Sequence, residues 1–191
     1  MENHNANRRP LILVVALTFV ILAVHPVSTA LAASASEINR SATQALAILY
    51  KNTPDARALA NRAVAMLVFP SIVKGGFIIG GQFGDGALYK HGKAVAYYRS
   101  LAASYGLQAG AQKFGYVLFF MDEASVQYLD NSAGWELGSG PSLVVLDEGF
   151  GKVLSTTTLQ KGVYAFIFNQ KGLMGGLGLQ GSKITKINPN P

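Results

Sequence analysis

Cysteine is absent from the 191 residues. That excludes disulfides, thiolate nucleophiles, iron–sulfur clusters, cysteine zinc sites and attachment of a lipid to an N-terminal thiol. Charge is also scarce, at 14% Asp, Glu, Lys and Arg against about 25% in an ordinary globular chain. Half of the residues are nevertheless hydrophobic, so the chain is not disordered, a state that needs low hydrophobicity and high net charge. No two Lys or Arg residues are adjacent after Arg9, and histidine occurs only at His4, His25 and His91. A basic stripe interleaved with aromatics is missing, and nucleic acid is not an expected partner.

What the chain has in excess is glycine. There are 21 glycines, about one residue in nine against a usual ~7%, although glycine weakens helices and strands alike unless the backbone needs it.

Residues 1–32 read as a leader. A polar start ends at Arg8 and Arg9, followed by 14 residues, Leu11 to Val24, that are apolar apart from Thr18. His25-Pro26 breaks the run, and Ala30-Leu31-Ala32 offers small residues for cleavage near Ala32. This is the order of a secretory signal peptide. The competing reading is an uncleaved anchor, but a spanning helix needs about 20 apolar residues. The expected destination is periplasmic or secreted, with residues 33–191 as a single domain. Removal of Arg8, Arg9 and Glu2 takes the formal charge from +6 to +5. The remaining excess favours an anionic partner, and after export a membrane surface fits best.

Two helices open the domain. Ser34-Ala35-Ser36-Glu37 fits a capping box, and Ile38, Ala42, Ala45, Leu46 and Leu49 recur at helical spacing. Thr53-Pro54-Asp55 marks a second start, continued by Leu59, Ala60, Ala63 and Val64. Helix gives way to strand at Ala65–Phe69, which Pro70 is expected to close. From Gly76 the period is two, with Phe77, Ile79, Gly81 and Phe83 on one face. Further strands are expected at Ala94–Leu101, Ser104–Gln112, Tyr116–Met121, Ser142–Leu146, Gly162–Phe168 and Leu173–Gln180, and a short helix at Asp122–Leu129. Lys90-His91-Gly92-Lys93 reads as a hairpin turn. The fold class is therefore α+β: N-terminal helices packed on a strongly curved, glycine-rich antiparallel sheet or barrel. The glycines would let long strands coil around a small core.

Candidate chemistry is sparse. One histidine in the domain and no thiol cannot build the usual zinc sites, and no Gly-x-Ser-x-Gly elbow is present for a hydrolase. The pairs Asp122-Glu123 and Asp147-Glu148 are sequence neighbours whose side chains diverge, so they read as helix-start and turn acids rather than catalytic dyads. Gly176-Leu177-Gly178-Leu179-Gln180-Gly181 satisfies the dinucleotide fingerprint, but the ten residues that remain leave no room for the required helix. No catalytic residue, cofactor or metal is expected. A faint internal echo links Lys74-Gly75-Gly76 with Lys171-Gly172, each leading into a glycine-spaced segment.

Four segments in order resemble the SYLF domain family. They are Ala65–Phe77 running on through Gly80-Gly81 to Gly84-Asp85-Gly86, Ser104–Gln112, Gln170–Gly176, and Leu179–Ile184. The likeness spans about Ser36 to Ile187, and Gln180 stands where members often carry Glu. The resemblance implies helices with a curved β structure and binding to phospholipids. It also implies phosphoinositide ligands in eukaryotic relatives and actin binding in some fungal ones, and it does not imply enzymatic activity. For this chain it implies an exported module that binds anionic phospholipid headgroups. A headgroup phosphate needs cations and free N–H groups, which Lys-Gly turns at Lys74, Gly75, Gly76 and at Lys171, Gly172 would supply. One of Lys183 and Lys186 would assist, Lys183 being the candidate, with Arg57 and Arg62 if the second helix packs nearby. The alternatives are a protein-interaction domain, actin-binding-like or an envelope scaffold, and a carrier of a small apolar ligand in the barrel interior.

Overall fold

The computed structural model describes residues 33–147, 162–172, 179 and 181–191. The expected leader and most of the expected strand Leu173–Gln180 lie outside the described residues.

Local signals start the helices where the sequence places them. In α1 (Ala35–Asn52), Ser34 Oγ accepts from the Glu37 N–H at 3.2 Å, and Glu37 Oε2 accepts from the Ser34 N–H at 2.9 Å. This reciprocal box satisfies two donors that the first turn would leave bare. Ile38, Ala42, Ala45 and Leu49 are buried. In α2 (Pro54–Arg62), Pro54 occupies the first turn and Ala56 and Leu59 are buried. Among the described residues no helix is long and apolar enough to cross a membrane.

Two very long strands follow, β1 (Ala65–Lys90) and β2 (Lys93–Phe120), paired antiparallel from Ala65↔Phe120 to Lys90↔Lys93. His91 and Gly92, at φ 50° and 75°, form the two-residue turn with positive φ at both positions that suits strand twist. The three strands expected between Ala94 and Met121 are thus one strand. Pro70 does not end β1; it lies where the register shifts between Phe69 and Ile72, a bulge that tolerates the missing N–H.

A straight 26-residue strand would measure about 85 Å. The hairpin instead doubles back on itself. Leu88, Ala96 and Tyr98 from its tip half share one core with Leu67, Phe69, Ile72, Tyr116 and Leu118 from its base half. Where the halves meet, a Cβ on Gly84 would strike the Ser71 carbonyl, and one on Gly86 would strike the Val68 carbonyl and the Phe69 ring. Only glycine permits that approach. The opposite face of both halves, including Val68, Ala87, Tyr89, Val117 and Phe119, packs under α1 and α2.

After β2 comes α3 (Glu123–Asn131), one residue inside its expected start. Asp122 caps it, with Oδ1 accepting from the Ser125 N–H at 2.8 Å and Oδ2 from the Gly162 N–H at 2.7 Å. Val126 and Leu129 plug the core inside the bent hairpin, alongside Trp135. The remaining described strands are β3 (Trp135–Glu136), β4 (Leu143–Asp147), β5 (Val163–Gly172) and β6 (Lys183–Ile187). The sheet order is β3-β6-β2-β5-β4, with β1 along the other side of β2. Pairing is antiparallel except between β4 and β5, which run parallel. β6 and the C-terminal end of β5 flank the same edge of β2: Gln112 faces Gly172 and Leu101 faces Lys183, and the pairing with β5 shifts register between Lys113 and Gly115. The Ala35 N–H donates to the Asn190 carbonyl at 2.7 Å, tying the start of α1 to the C-terminal segment.

Candidate functional site

Folding the hairpin in half leaves a bend around residues 73–83 of β1 and 101–113 of β2, at the end opposite the turn. Strand alternation fixes which side chains face outward there. Ile72 is fully buried in the core inside the curl, so even-numbered positions of β1 look inward and odd-numbered ones outward. Across register, Val73, Lys113 and Lys171 form one outward row, and Phe83, Leu101 and Lys183 form another.

Both rows are apolar at one end and cationic at the other. Val73 is 54% exposed, Phe83 46% and Leu101 45%, and Lys113, Lys171 and Lys183 are all exposed. Beside these rows stand the small residues Gly75, Ala111, Gly81 and Ala103. Next to the second row, Arg99 donates from Nε and Nη2 to the two carboxylate oxygens of Asp85 at 2.7 and 2.9 Å. The Arg99 guanidinium also lies 4.8 Å from the Phe83 ring centroid. Those hydrogen bonds raise the already high pKa of Arg99 and remove the Asp85 charge as an unpaired acid on this face. Glu136, facing Lys183 from β3, is the acid at the margin.

The sequence-expected residues divide three ways. Lys171 and Lys183 lie on this outward face. Lys74 faces inward, because it pairs with Gln112 while Lys171 pairs with Lys113. The echoed Lys-Gly segments therefore flank β2 from opposite sides, one residue out of step. Neither is a turn: Lys74, Gly75, Gly76, Lys171 and Gly172 are all paired strand positions, because β2 continues past the points where separate strands were expected. Lys183 and Lys186 point to opposite faces, as the spacing suggested.

Arg57 and Arg62 are not brought to the bend. α2 ends at the hairpin turn, where Ala60 and Ala63 join Val64, Met66, Tyr89, His91, Gly92 and Glu123 around a cavity of about 340 Å³. Eight residues of strand, on the order of 25 Å, separate that end from the bend. Arg57 instead lies 5.4 Å from the Tyr50 ring centroid. Lys90 Nζ sits 3.6 Å from Glu123 Oε2, clasping the hairpin turn to the start of α3.

Lys113 escaped the sequence reading because it falls between two expected strands; a period-2 pattern carried through Lys113 would have found it. Among the described residues no cluster of His, Asp and Glu could hold a metal ion.

Residues 101–189 match the Ysc84 family model, described as "Las17-binding protein actin regulator". That segment runs from Leu101 in β2 through β6 and is consistent with the SYLF domain family. No curated protein matches the chain.

Proposed function

Starting from a SYLF-type domain over residues 101–189, we propose that this protein is an exported, non-enzymatic module that adsorbs to anionic phospholipid surfaces through the convex face of its bent hairpin. The observation that carries the reading is the Lys113–Lys171 pair set in one row with exposed Val73, repeated by Lys183 beside Phe83 and Leu101. Each lysine near an anionic surface contributes about 1 kcal/mol, so three alone give weak, salt-sensitive adsorption. Three half-exposed apolar side chains add roughly 1 kcal/mol each on insertion, which turns electrostatic contact into measurable binding. Neighbouring Gly75, Gly81, Ala103 and Ala111 let a flat lipid surface approach the backbone closely.

The test is co-sedimentation with phosphatidylglycerol and phosphatidylcholine vesicles at low and high salt. Pelleting with the anionic vesicles alone, lost at high salt, is expected. Equal behaviour on both lipids overturns the reading. The Ysc84 description, "Las17-binding protein actin regulator", favours a protein-interaction domain as the second reading, and capture of a stable partner with indifference to vesicles would select it. A carrier of an apolar ligand is less well supported, since Phe69, Phe114, Tyr116, Tyr98 and Trp135 fill the curl.

A further inference from the structure

At the end of the hairpin opposite the bend, the cavity of about 340 Å³ opens between the last turn of α2, the start of β1, the hairpin turn and the start of α3. Its walls are layered by polarity. Ala65 and Tyr89 are buried at the floor, Ala63 and Met66 are half-buried along the sides, and His91 and Glu123 are exposed at the mouth. The polar atoms of the interior are already engaged. The Tyr89 hydroxyl donates to the Asn39 carbonyl at 3.4 Å, and Met66 Sδ accepts from the Tyr50 hydroxyl at 3.4 Å. Floor and sides therefore offer mainly hydrocarbon, against which water finds few partners. An apolar cavity of about 150 Å³ stays dry and takes up benzene. At more than twice that volume, this one has room for a body of about ten to twelve non-hydrogen atoms.

Two features of the mouth point to what would enter. His91 holds its imidazole there from a backbone with φ 50°, which glycine adopts at lower cost. A larger residue kept in that conformation beside a cavity is a mark of use rather than of packing. The second feature is charge. Glu123 is the acid of the lining, with Lys90 Nζ 3.6 Å from its Oε2, and Lys93 pairs with Lys90 across the turn. An anion would meet the Glu123 carboxylate and a cation would meet the two lysines, so neither is favoured. A carboxylate and an imidazole can both accept a hydrogen bond, which favours a neutral donor.

We propose that this cavity binds a small neutral apolar molecule bearing a single hydroxyl or ring N–H. Its hydrocarbon body would lie against Ala63, Ala65, Met66 and Tyr89, with its donor reaching Glu123 and His91 at the mouth. The site is outside the filled curl and on the order of 25 Å along the strands from the convex face of the bend, so the inference does not rest on the proposed membrane function.

The test follows backbone amide shifts by NMR while the protein is titrated with indole and with 1-methylindole, which keeps the ring system and loses the donor. Saturable shifts at Ala63, Met66, His91 and Gly92 are expected with indole, at an affinity at least fivefold above that for 1-methylindole. Ala63→Leu should fill the space and abolish the shifts, with a thermal midpoint no lower than the parent's. His91→Gly, which a two-residue turn of this type accepts, should weaken indole binding fivefold or more on an intact fold. Lys113→Gln/Lys171→Gln should bind indole as the parent does while losing vesicle adsorption, which keeps failure here distinct from failure of the membrane reading. Loss of the indole response in that variant would place the probe on the bend and overturn the proposal. Absence of saturable shifts at the four residues overturns it as well, as does parent-like indole affinity in both Ala63→Leu and His91→Gly. Equal affinity for indole and 1-methylindole overturns the assigned ligand class.

Discussion

A methyl group at position 86 has nowhere to go. Its neighbours are a backbone carbonyl and the edge of the buried Phe69 ring, neither of which can swing aside. Gly86→Ala is therefore expected to lower unfolding free energy by at least about 2 kcal/mol in urea titration. At Gly92 a Cβ meets nothing, and the strain is confined to the positive φ. Gly92→Ala should cost about 1 kcal/mol, and equal losses at the two positions would refute the close-crossing account. Tyr116 supplies a pH-dependent counterpart. Burial pushes its phenol well above the ordinary value of 10.0, so the folded state holds that proton more tightly than the unfolded chain. Stability is then unaffected below pH 10 and falls above it by about 1.4 kcal/mol per pH unit for this group. Tyr116→Phe should flatten that alkaline slope by one group's share, as measured by denaturant unfolding at pH 9 and 11.

At the level of elements, the most local devices are the most legible ones. The capping box at Ser34 and Glu37, the proline opening α2 and the acid opening α3 each depend on four consecutive residues, and each appears where the sequence puts it. Ser34→Ala removes the hydroxyl acceptor at α1 and should cost about 1 kcal/mol, read as a lower thermal midpoint. Strand limits were not legible for the same reason in reverse. Gly and Pro ordinarily punctuate strands, yet Pro70 falls on a bulge and Gly106 and Gly110 lie inside one continuous β2. What decides there is pairing with partners far along the chain, which no local window contains. The candidate site suffered accordingly. Lys171 and Lys183 were singled out from their own neighbours and lie on the outward face, but the inward aim of Lys74 and the outward aim of Lys113 depend on register across three strands. Arg57 and Arg62 were misplaced because nothing in α2 itself says which end of the hairpin it meets.

For the whole molecule, the outward face of the bend is where cations and exposed apolar side chains share rows across three strands. Lys113→Gln/Lys171→Gln should reduce the pelleted fraction on phosphatidylglycerol vesicles several-fold at low salt and leave thermal stability unchanged, because both side chains are exposed and form no ion pair with a described acid. If the double variant pellets like the parent protein, the convex face is not the lipid contact.

The pairing of β6 on both of its edges also bears on how this strand can change length. Leu101 faces Lys183 on one edge and Trp135 faces Ile184 on the other, with Ile184 buried and Lys183 and Lys186 exposed. Inserting or deleting one residue inside β6 would turn every side chain beyond it to the opposite side of the sheet. Related sequences should therefore vary freely at positions 183 and 186 while keeping the count of residues between them.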